Sequence, residues 1–411
     1  MPEFLTLMPP DEARAKWVSH LDPVELKSET VDILHAAGRV NAEDLRAPQS
    51  LPHFRRSTVD GYAVKARDTF GAGDSMPAYL RVVGEVPMGT FAAGEVDSGT
   101  AYLIHTGGTV PEGSDAVVML EYTRATQSGE IEVSRAVAVG ENVIQVGEDV
   151  REGELLLARG KLIRPVDVGV LAAAGITDLR VAKRFSAGII STGDEVVRPT
   201  AEVTIGQVRD VNTYTLAAVL AAKGAEASIY GIVRDDFEEL FRLSSQALSE
   251  CDAVIVTAGS SASVRDMTAD VINRLGTPGV LVHGINTKPG KPTILGVCKG
   301  KAIIGLPGNP VSALINALLF VSPLIDRFTM QLPPKFVPKI HAKLSLNLSS
   351  QAGREDWHPV KLIQNDPDWI AEPVFGKSNL IFTLSIADGL ICIPAASTGL
   401  SAGEQVDVHP L

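Results

Sequence analysis

The chain has 411 residues, of which 45% are hydrophobic and 21% charged, and its formal net charge is −12. A chain of this length needs more than one core, so we expect two to four domains. The acidic balance argues against a protein that binds nucleic acid non-specifically. Three cysteines stand far apart, with no C-x-x-C motif and no histidine cluster, so they predict neither a disulfide framework nor a zinc site.

The N-terminus has no basic segment ahead of an apolar core, which a secretory signal would have. The longest apolar stretch, residues 313–325, contains Asn316 and Pro323 and is too short to span a bilayer. We therefore expect a soluble, cytoplasmic protein that does not enter a membrane.

Residues 11–40 predict a helix, because apolar residues recur at helical spacing and Gly38 is placed to end it. A second helix is predicted to start at Pro165 and to end before Gly175. Since β-like sequence separates these pieces, residues 1–50 and 147–183 predict one helical and linker domain that an inserted domain interrupts.

Residues 51–146 predict this insertion, a β-rich module in which short strand-like runs alternate with glycine-rich turns. In L-P-H-F-R-R-S-T-V-D-G-Y-A-V (51–64), an oxyanion could be held by Arg55, Arg56 and Ser57, and Asp60 could act as acid, base or metal ligand. The D-G pair is equally typical of a hairpin turn. Thr106 lies in I-H-T-G-G-T-V-P (104–111) and could present its hydroxyl to a ligand, although a glycine pair usually serves backbone geometry.

From 184 to 330 the strand and helix patterns alternate, which predicts a doubly wound α/β domain with a parallel sheet and helices on both faces. Ligands of such sheets bind beyond the carboxyl ends of the strands. The predicted strands are 185–190, 226–233, 253–257, 279–283, 293–297 and 302–306, and the predicted helices lie near 213–223, 235–249, 267–275 and 310–321. Residues 331–411 show short strands and no convincing helix, and predict a separate C-terminal β domain.

Motifs of small, cationic and acidic residues fall at the predicted strand ends. They are S-T-G-D-E (191–195), G-Q-V-R-D-V-N (206–212), T-A-G-S-S-A-S-V-R-D (257–266), K-P-G-K-P (288–292) and L-P-G-N-P (306–310). Small residues expose amides and hydroxyls to an anion, and carboxylates can hold Mg²⁺. Together the motifs predict a site for phosphate and a divalent metal, although each alone also suits a turn, a helix cap or a surface ion pair. Asn212 and Asn309 are the predicted caps of the helices that follow them.

No Walker A loop, no G-x-G-x-x-G after a strand and no G-x-S-x-G elbow occurs in the sequence. The chain is therefore predicted to be neither a P-loop enzyme nor a dinucleotide-binding one, and it has no hydrolase serine.

Six motifs then point to a known family. S-T-V-D-G-Y-A-V, H-T-G-G-x-x-P, G-E-D-V, S-T-G-D-E, K-P-G-K-P and L-P-G-N-P occur in an order and spacing that resembles the molybdopterin molybdenumtransferases. That family is also represented by the C-terminal domain of gephyrin. The tail, residues 377–408, resembles it too, so the similarity covers nearly the whole chain.

The resemblance implies an elongated homodimer with four domains in each chain. The central domain would be similar to molybdopterin adenylyltransferases, and the C-terminal domain would be β-barrel-like. It implies an enzyme of molybdenum cofactor biosynthesis that takes adenylylated molybdopterin and molybdate, releases AMP with the help of Mg²⁺, and leaves molybdenum on the dithiolene. Molybdopterin adenylyltransferase and molybdoenzyme maturation proteins are possible partners.

The resemblance also implies roles for residues. Those on the molybdate side, which would come from the module and the helical domain across the dimer, are Asp60, Thr106 and Asp149. Glu195 and Asp266 would hold the metal, and Asp210 would orient the nucleotide or a metal-bound water. The substrate-binding candidates are Arg55, Arg56, Ser57, Ser191, Thr192, Gly193, Gly259, Ser260, Ser261, Lys288, Lys291, Pro307, Gly308, Asn309 and Pro310.

The sequence departs from the family pattern at residues 257–266. This stretch is one residue shorter than the corresponding family motif and lacks the glycine pair of that motif. Ile144 and Gln145 stand where the family tends to carry an arginine, and Val59 stands where it often has methionine. A second hypothesis therefore stays open, a non-catalytic carrier or scaffold that binds the molybdopterin nucleotide. The intact carboxylates and lysines favour the enzyme, and the extra domains argue against the adenylylation step itself.

Overall fold

The computed structural model describes residues 7–258, 262–335 and 337–411, and the side chains of these residues except 262–266. The strands in these ranges form three six-stranded sheets and five two-stranded pairs. Short 3₁₀ turns lie at Ile33–His35, Ala66–Thr69 and Leu120–Tyr122.

Two separate segments, residues 28–50 and 147–183, pair to form what we call the N-terminal unit. Ser28–Asp32 pairs antiparallel with Asp178–Ala182, and Leu45–Arg46 pairs with Leu155–Leu157. The helix Pro165–Ala173 contributes its leucine, Leu171, to the buried cluster of this unit. Because both segments are needed to build the cluster, the residues between them form an insertion.

The predicted helix over residues 11–40 is wrong beyond its first eight residues. The helix covers only Pro10–Val18, and Ser28–Asp32 is a strand. Pairing with the second segment overrides the local pattern here, since Val31 packs in the cluster of the N-terminal unit as a strand residue. The short helix packs on the central sheet instead, where Trp17 donates its indole N–H to the carbonyl oxygen of Gly296 at 2.8 Å.

Residues 51–146, which we call the module, fold around one six-stranded sheet. Its strands in spatial order are Ala116–Met119, Gly61–Val64, Thr100–Ile104, Ala78–Val86, Glu130–Val133 and Thr123–Ala125. Neighbouring residues such as Ala63 and Val64 belong to different buried clusters, so both faces of the sheet are covered. Arg56–Ser57 pairs separately with Val143–Ile144 and brings the R-R-S motif beside the sheet.

The central sheet also has six strands. Their spatial order is Glu226–Val233, Ser186–Thr192, Ala253–Ala258, Lys301–Pro307, Ile294–Cys298 and Pro278–His283. The first four run parallel as predicted, but Ile294–Cys298 is antiparallel to both its neighbours and is the one exception among these six strands to the predicted parallel sheet. The reason is a two-residue hairpin, in which Lys299 and Gly300 both have positive φ, 53° and 75°.

Helices cover both faces of the central sheet, as the doubly wound prediction requires. Pro10–Val18, Asn212–Ala222 and the helix that starts at Pro310 share one buried cluster. Phe237–Glu250 and Ala262–Leu275 contribute to the cluster on the other face. The short strands Val196–Val197 and Val208–Arg209 pair beyond the carboxyl end of the sheet.

The last helix of this domain is longer than predicted, running as Pro310–Asn316, a π-helical segment Ala317–Val321, and Ser322–Phe328. The π segment precedes Pro323, which explains why a proline did not end the helix. By length and composition it is the one helix in the described part of the chain that could cross a membrane, but 61% of its apolar window is buried inside the protein. It is therefore a core helix.

The C-terminal region forms a closed five-stranded barrel. Its strands in spatial order are Glu355–Asn365, Asp368–Pro373, Ile340–Leu344, Gln405–Pro410 and Gly389–Ile393, and the last of these pairs with the first. Leu348–Ser349 pairs with Gly399–Leu400, and a short unpredicted helix covers Phe382–Ser385. Thr287–Lys288 of the central domain joins the outside of the barrel as an added parallel strand. The predicted C-terminal β domain is confirmed.

Candidate active site

The carboxyl ends of the central strands form a group of small polar residues, which we call the strand-end shelf (residues 191–195, 208–213 and 257). Ser191 and Thr192 are buried there. The hydroxyl of Thr257 donates to Ser191 Oγ at 3.2 Å, and Thr192 Oγ1 donates to the carbonyl oxygen of Thr257 at 3.2 Å. The amide of Gly193 donates to the carbonyl oxygen of Val233. These residues therefore fix the shape of the shelf.

The carboxylates of Asp194, Glu195 and Asp235 lie close together beyond the carboxyl end of the strand Ser186–Thr192. Gly193 has a φ of 140°, and a Cβ at that position would lie 2.7 Å from Glu195 Oε2, so glycine makes room for the carboxylate. Asp194 Oδ1 accepts the amide of Asp235 at 3.3 Å. Burial raises the pKa of Asp235, and the charges of Asp194 and Glu195 raise it further. Hard oxygen donors are thus concentrated at this edge of the sheet.

Asp210 and Asn212 connect the shelf to L-P-G-N-P. Asp210 is 6% exposed and accepts the amide of Thr213 at 3.1 Å, so it caps the helix that Asn212 was predicted to cap. Asn212 instead donates its Nδ2 to the carbonyl oxygen of Gly308 at 2.8 Å. Among the described residues, Asn212 Oδ1 and Thr213 Oγ1 are buried without a hydrogen-bond partner. In the described part of the chain, Asn212 therefore ties the helix to the L-P-G-N-P loop through its Nδ2 alone.

The two proline-rich motifs line a cleft of about 950 Å³ between the central domain and the barrel. The central domain contributes Lys288–Pro292, Pro307 and Asn309, and the barrel contributes Asp356, His358, Lys377 and Ser378 among others. The cleft adjoins the shelf, because Thr257 and Ala258 pair directly with Leu306 and Pro307.

The helix that begins at Pro310 points its first residues at this cleft, but its first turn is partly occupied. Val311 donates its amide to the carbonyl oxygen of Ser378 at 3.1 Å. The side chain of Asn309, the predicted cap, makes no cap hydrogen bond and donates to Ser378 Oγ at 3.0 Å. The predicted cap Asn309 is therefore wrong, because a loop of the barrel docks on this helix N-terminus and takes the side chain of Asn309 as a donor.

The K-P-G-K-P loop lies directly on the same helix. Gly290 has a φ of 117°, and a Cβ at that position would lie 1.7 Å from Asn316 Nδ2, so only glycine permits this approach. Thr293 donates its amide and its hydroxyl to the carbonyl oxygen of Gly290, at 3.2 and 2.8 Å. The contacts with Asn316 and Thr293 therefore hold the segment between Lys288 and Lys291 in one conformation.

Lys288 forms an ion pair with the barrel. Its Nζ lies 3.0 Å from Oδ2 of Asp356, a carboxylate that is only 1% exposed. Ser350 Oγ donates to the same oxygen at 2.9 Å, and His358 Nε2 lies 3.2 Å from Oδ1. Burial raises the pKa of Asp356, but His358 and Lys288 lower it more, to about 2. Asp356 is therefore ionised at neutral pH.

A second group of predicted residues meets in the module, and we call it the module corner (Asp60, His105 and Thr106). Asp60 Oδ1 accepts the amide of Thr106 at 2.7 Å and its hydroxyl at 3.2 Å. The backbone hydrogen bond from Thr106 is the main cause that lowers the pKa of Asp60. His105 Nε2 lies 2.9 Å from Glu85 Oε1. Asp60 is thus an exposed, ionised carboxylate held in one orientation.

The other candidate residues of the module differ in how far local hydrogen bonds already occupy their side chains. Arg55 donates to the carbonyl oxygens of Ser114 and Pro111, at 2.9 and 3.3 Å, and Ser57 Oγ donates to that of Val59 at 2.6 Å. Within the described residues, the Nε of Arg56 is buried without a partner. The exposed Asp149 lies apart, at the junction with the N-terminal unit, where its amide donates to Leu51.

Part of one predicted motif falls outside this description. Gly259, Ser260 and Ser261 are not among the described residues, and neither is the side chain of Asp266. The helix Ala262–Leu275 starts five residues earlier than predicted, so Asp266 lies within it and not at its start.

Sequence reasoning missed the residues that the barrel brings to the cleft, above all Asp356, Lys377 and Ser378. The resemblance of the tail, which begins at Lys377, was the one signal that could have found two of them.

Comparisons with known proteins match successive parts of the chain to three family descriptions. These are the MoeA N-terminal region (domain I and II) over residues 8–175, a probable molybdopterin binding domain over 188–327, and the MoeA C-terminal region (domain IV) over 341–411. A molybdopterin molybdenumtransferase of Haemophilus influenzae is 32% identical over 402 residues, which cover 97% of this chain and 98% of that protein. The chain belongs to the molybdopterin molybdenumtransferase family.

Two further similarities extend over the whole chain. A molybdopterin biosynthesis protein of Methanocaldococcus jannaschii is 37% identical over 394 residues, covering 94% of this chain and 92% of that protein. The crystal structure of the molybdopterin biosynthesis MoeA protein from Pyrococcus horikoshii OT3 has a TM-score of 0.86 at 32% identity, and covers 99% of this chain and 100% of that one. The predicted family and fold class are confirmed, and with them a transferase of molybdenum cofactor biosynthesis.

Proposed function

We propose that this molybdenumtransferase takes molybdenum from molybdate, inserts it into adenylylated molybdopterin and releases AMP, with Mg²⁺ as the assisting metal. The observation that carries the proposal is the cleft between the central domain and the barrel, which holds the lysines of K-P-G-K-P and adjoins the carboxylates of the strand-end shelf. A polyanionic nucleotide and an oxyanion need such cations side by side with metal-binding oxygens.

The charge of the cleft suits its substrates. In a chain with a net charge of −12, an anion must be held by local donors. Lys288 is paired with Asp356, whereas Lys291 and Lys377 are exposed and make no ion pair with a described residue. Lys288, Lys291 and Lys377 thus place positive charge for anionic substrates in one cleft of an acidic chain.

In the proposed reaction the oxygen of a water molecule attacks the phosphoanhydride. A new P–O bond forms as the bridging P–O bond breaks, and AMP and the phosphate of molybdopterin separate. The two dithiolene thiols bind molybdenum through their sulfurs, and their two protons leave with one oxide ligand of molybdate as one water molecule. Negative charge grows on the phosphate oxygens as the bond breaks. Lys291 and the small residues of the L-P-G-N-P loop would stabilise that charge, while Asn212 holds the loop through Gly308.

The residues of the shelf fit Mg²⁺ in their chemistry, since Glu195 and Asp210 offer hard carboxylate oxygens. Among the described side chains, no three histidine, cysteine or carboxylate groups form a ready-made metal site. One or two carboxylates, Glu195 with Asp266 as its proposed partner, would therefore hold the ion together with waters and substrate phosphates, which is the usual mode for Mg²⁺. When bound, the metal would neutralise charge on the phosphoanhydride.

We infer that the module corner acts on the cleft of a second copy in a homodimer. Asp60 and Thr106 are exposed and bonded to each other, and the cleft of their own chain is lined by central-domain and barrel residues. Asp60, Thr106, Asp149 and Arg56 would then line the molybdate side of the partner's cleft. Cytoplasmic location, and transfer of the nucleotide from molybdopterin adenylyltransferase, complete this proposal.

The test is AMP release from adenylylated molybdopterin and Mg²⁺, with and without molybdate. We expect molybdate-dependent release by the wild type, almost none from Asp266→Ala, and a strong loss in Lys291→Ala. Lys361→Ala, which removes an exposed lysine of the barrel outside the cleft, is the control and should match the wild type. Tight nucleotide binding by the wild type without AMP release would overturn the proposal and leave a carrier.

A further inference from the structure

We propose that Asp356 is a positioning residue of the cleft, which fixes Lys288 and through it the K-P-G-K-P loop, so that the barrel forms a functional wall of the anion site. This inference rests on the proposed function and deepens it, because it names a residue of the barrel that acts on substrate through another residue.

The first support is the backbone. Thr287–Lys288 leaves the central domain and pairs in parallel with Glu355–Asp356, residue 288 opposite residue 356. The amide of Glu355 donates to the carbonyl oxygen of Asn286 at 3.1 Å. The start of the K-P-G-K-P loop is thus a strand of the barrel in its hydrogen bonding, although it belongs to the central domain in sequence.

The second support is the set of groups around the Asp356 carboxylate. It is 1% exposed and meets a lysine, a serine and a histidine, namely Lys288, Ser350 and His358. A carboxylate buried this deeply holds its partner in one place, because any other arrangement would leave its charge unpaired. The side chain of Lys288 is 49% exposed, so its remaining N–H donors are open to the cleft.

The third support is the rest of the loop. Beyond Lys288, Gly290 rests against Asn316 of the core helix and is bonded by Thr293. The loop is therefore fixed at two points, on the barrel through Asp356 and on the helix through Gly290. Loss of the Asp356 carboxylate would free the ammonium group of Lys288, while the backbone pairing with the barrel and the fold of the central domain remain. A loss of anion binding without a loss of folding is the result this arrangement predicts.

The experiment is a double-mutant cycle on molybdate-dependent AMP release, with Lys288→Met, Asp356→Asn and the double variant. We expect Asp356→Asn to raise the KM for molybdate about 10-fold, the size expected when a charge-assisted hydrogen bond is lost, with a smaller change in kcat. If Asp356 acts through Lys288, the double variant will be no worse than Lys288→Met alone. Multiplicative effects of the two single changes would overturn the proposal.

Two further variants separate positioning from barrel stability. Ser350→Ala removes one hydrogen bond to Asp356 and should raise the same KM about 2-fold to 3-fold, which keeps the test usable if Asp356→Asn folds poorly. Asp407→Asn is the matched control, because Asp407 also contacts a lysine and a histidine of the barrel, Lys339 and His341, but lies outside the cleft. It should leave the KM for molybdate unchanged.

The outcomes distinguish the two proposals. A wild type that releases no AMP refutes the proposed function. An active wild type in which Asp356→Asn and Asp407→Asn behave alike refutes the positioning role only.

Discussion

The cleft and the module corner each contain a carboxylate whose pKa is lowered, but for different reasons. At Asp60 the main cause is one backbone hydrogen bond from Thr106, and the carboxylate stays exposed. At Asp356 burial opposes ionisation, and His358 and Lys288 more than reverse it. An exposed carboxylate with one local anchor keeps oxygen lone pairs for substrate, whereas a buried one surrounded by partners can only hold those partners in place. The comparison separates carboxylates that can contact substrate from carboxylates that hold other side chains in place.

The largest expected effect comes from the carboxylates of the shelf. Glu195→Gln preserves size and removes the charge that would help hold Mg²⁺, so AMP release should fall about 100-fold. A titration with Mg²⁺ should show half-activation at a higher concentration. Glu226→Gln, at the opposite end of the same sheet, is the control with wild-type behaviour expected. An unchanged Mg²⁺ dependence in Glu195→Gln would contradict the metal assignment.

The next prediction tests whether the module corner serves the cleft of a second copy. Asp60→Asn and Lys291→Ala should each lower AMP release about 10-fold or more, because each removes a charged contact. When the two variants are co-expressed, half of the dimers contain one chain of each. Each mixed dimer has one intact site out of two, so about a quarter of the wild-type activity should return. Lys291→Ala with Glu195→Gln should show no such recovery, since both lie in one central domain. Absence of recovery in the first mixture would place the corner and the cleft in one chain.

The buried carboxylate should also appear in the pH dependence of stability. Its folded pKa of about 2 lies below the ordinary 3.8, so its stabilisation is present above pH 3.8 and is lost as pH falls through 2. Asp356→Asn should lower the free energy of unfolding of the barrel at pH 7 by about 2 kcal/mol and flatten its dependence between pH 4 and 2.

Urea unfolding followed by tryptophan fluorescence measures this change, since two of the three tryptophans, Trp357 next to Asp356 and Trp369, lie in the barrel. Asp60→Asn, the exposed counterpart, should leave the same curves nearly unaltered. Equal pH profiles for the wild type and Asp356→Asn would show that the buried carboxylate does not contribute to stability.

The smallest effect concerns a matched pair of buried threonines. Thr213 Oγ1 has no partner among the described residues, so Thr213→Val should leave stability unchanged or raise it by up to about 1 kcal/mol. Thr293 donates its hydroxyl to Gly290, so Thr293→Val should cost about 1 kcal/mol. Thermal unfolding measures both. A destabilised Thr213→Val would mean that its hydroxyl has a structural role.

The sequence correctly placed S-T-G-D-E and L-P-G-N-P at strand ends, because the pattern that places them is local. Glycine, hydroxyl and carboxylate residues that follow an apolar run end up at the edge of a sheet in any doubly wound domain. It failed where distant segments decide the structure. Ser28–Asp32 is a strand only because residues 178–182 pair with it, and Lys288 meets a partner 68 residues further on. The barrel wall of the cleft therefore could not be predicted from local pattern.

One failure had a local cause that pattern reasoning overlooked. The turn at Lys299 and Gly300 reverses the chain and makes one central strand antiparallel. The predicted helix cap at Asn212 was wrong for a different reason. Asp210 and Asn212 are both suitable cap residues, and only the contact of Asn212 with Gly308 decides between them.

The two ends of the module lie side by side. Leu51 donates its amide to the carbonyl oxygen of Val150 at 2.8 Å, and the amide of Val150 donates back to Leu51 at 3.2 Å. A short turn between Leu51 and Val150 could therefore replace the rest of the module and the three residues that follow it, while the N-terminal unit keeps all its paired strands. In genetic terms the module is a unit that recombination can exchange between relatives while the cleft between the central domain and the barrel is inherited unchanged.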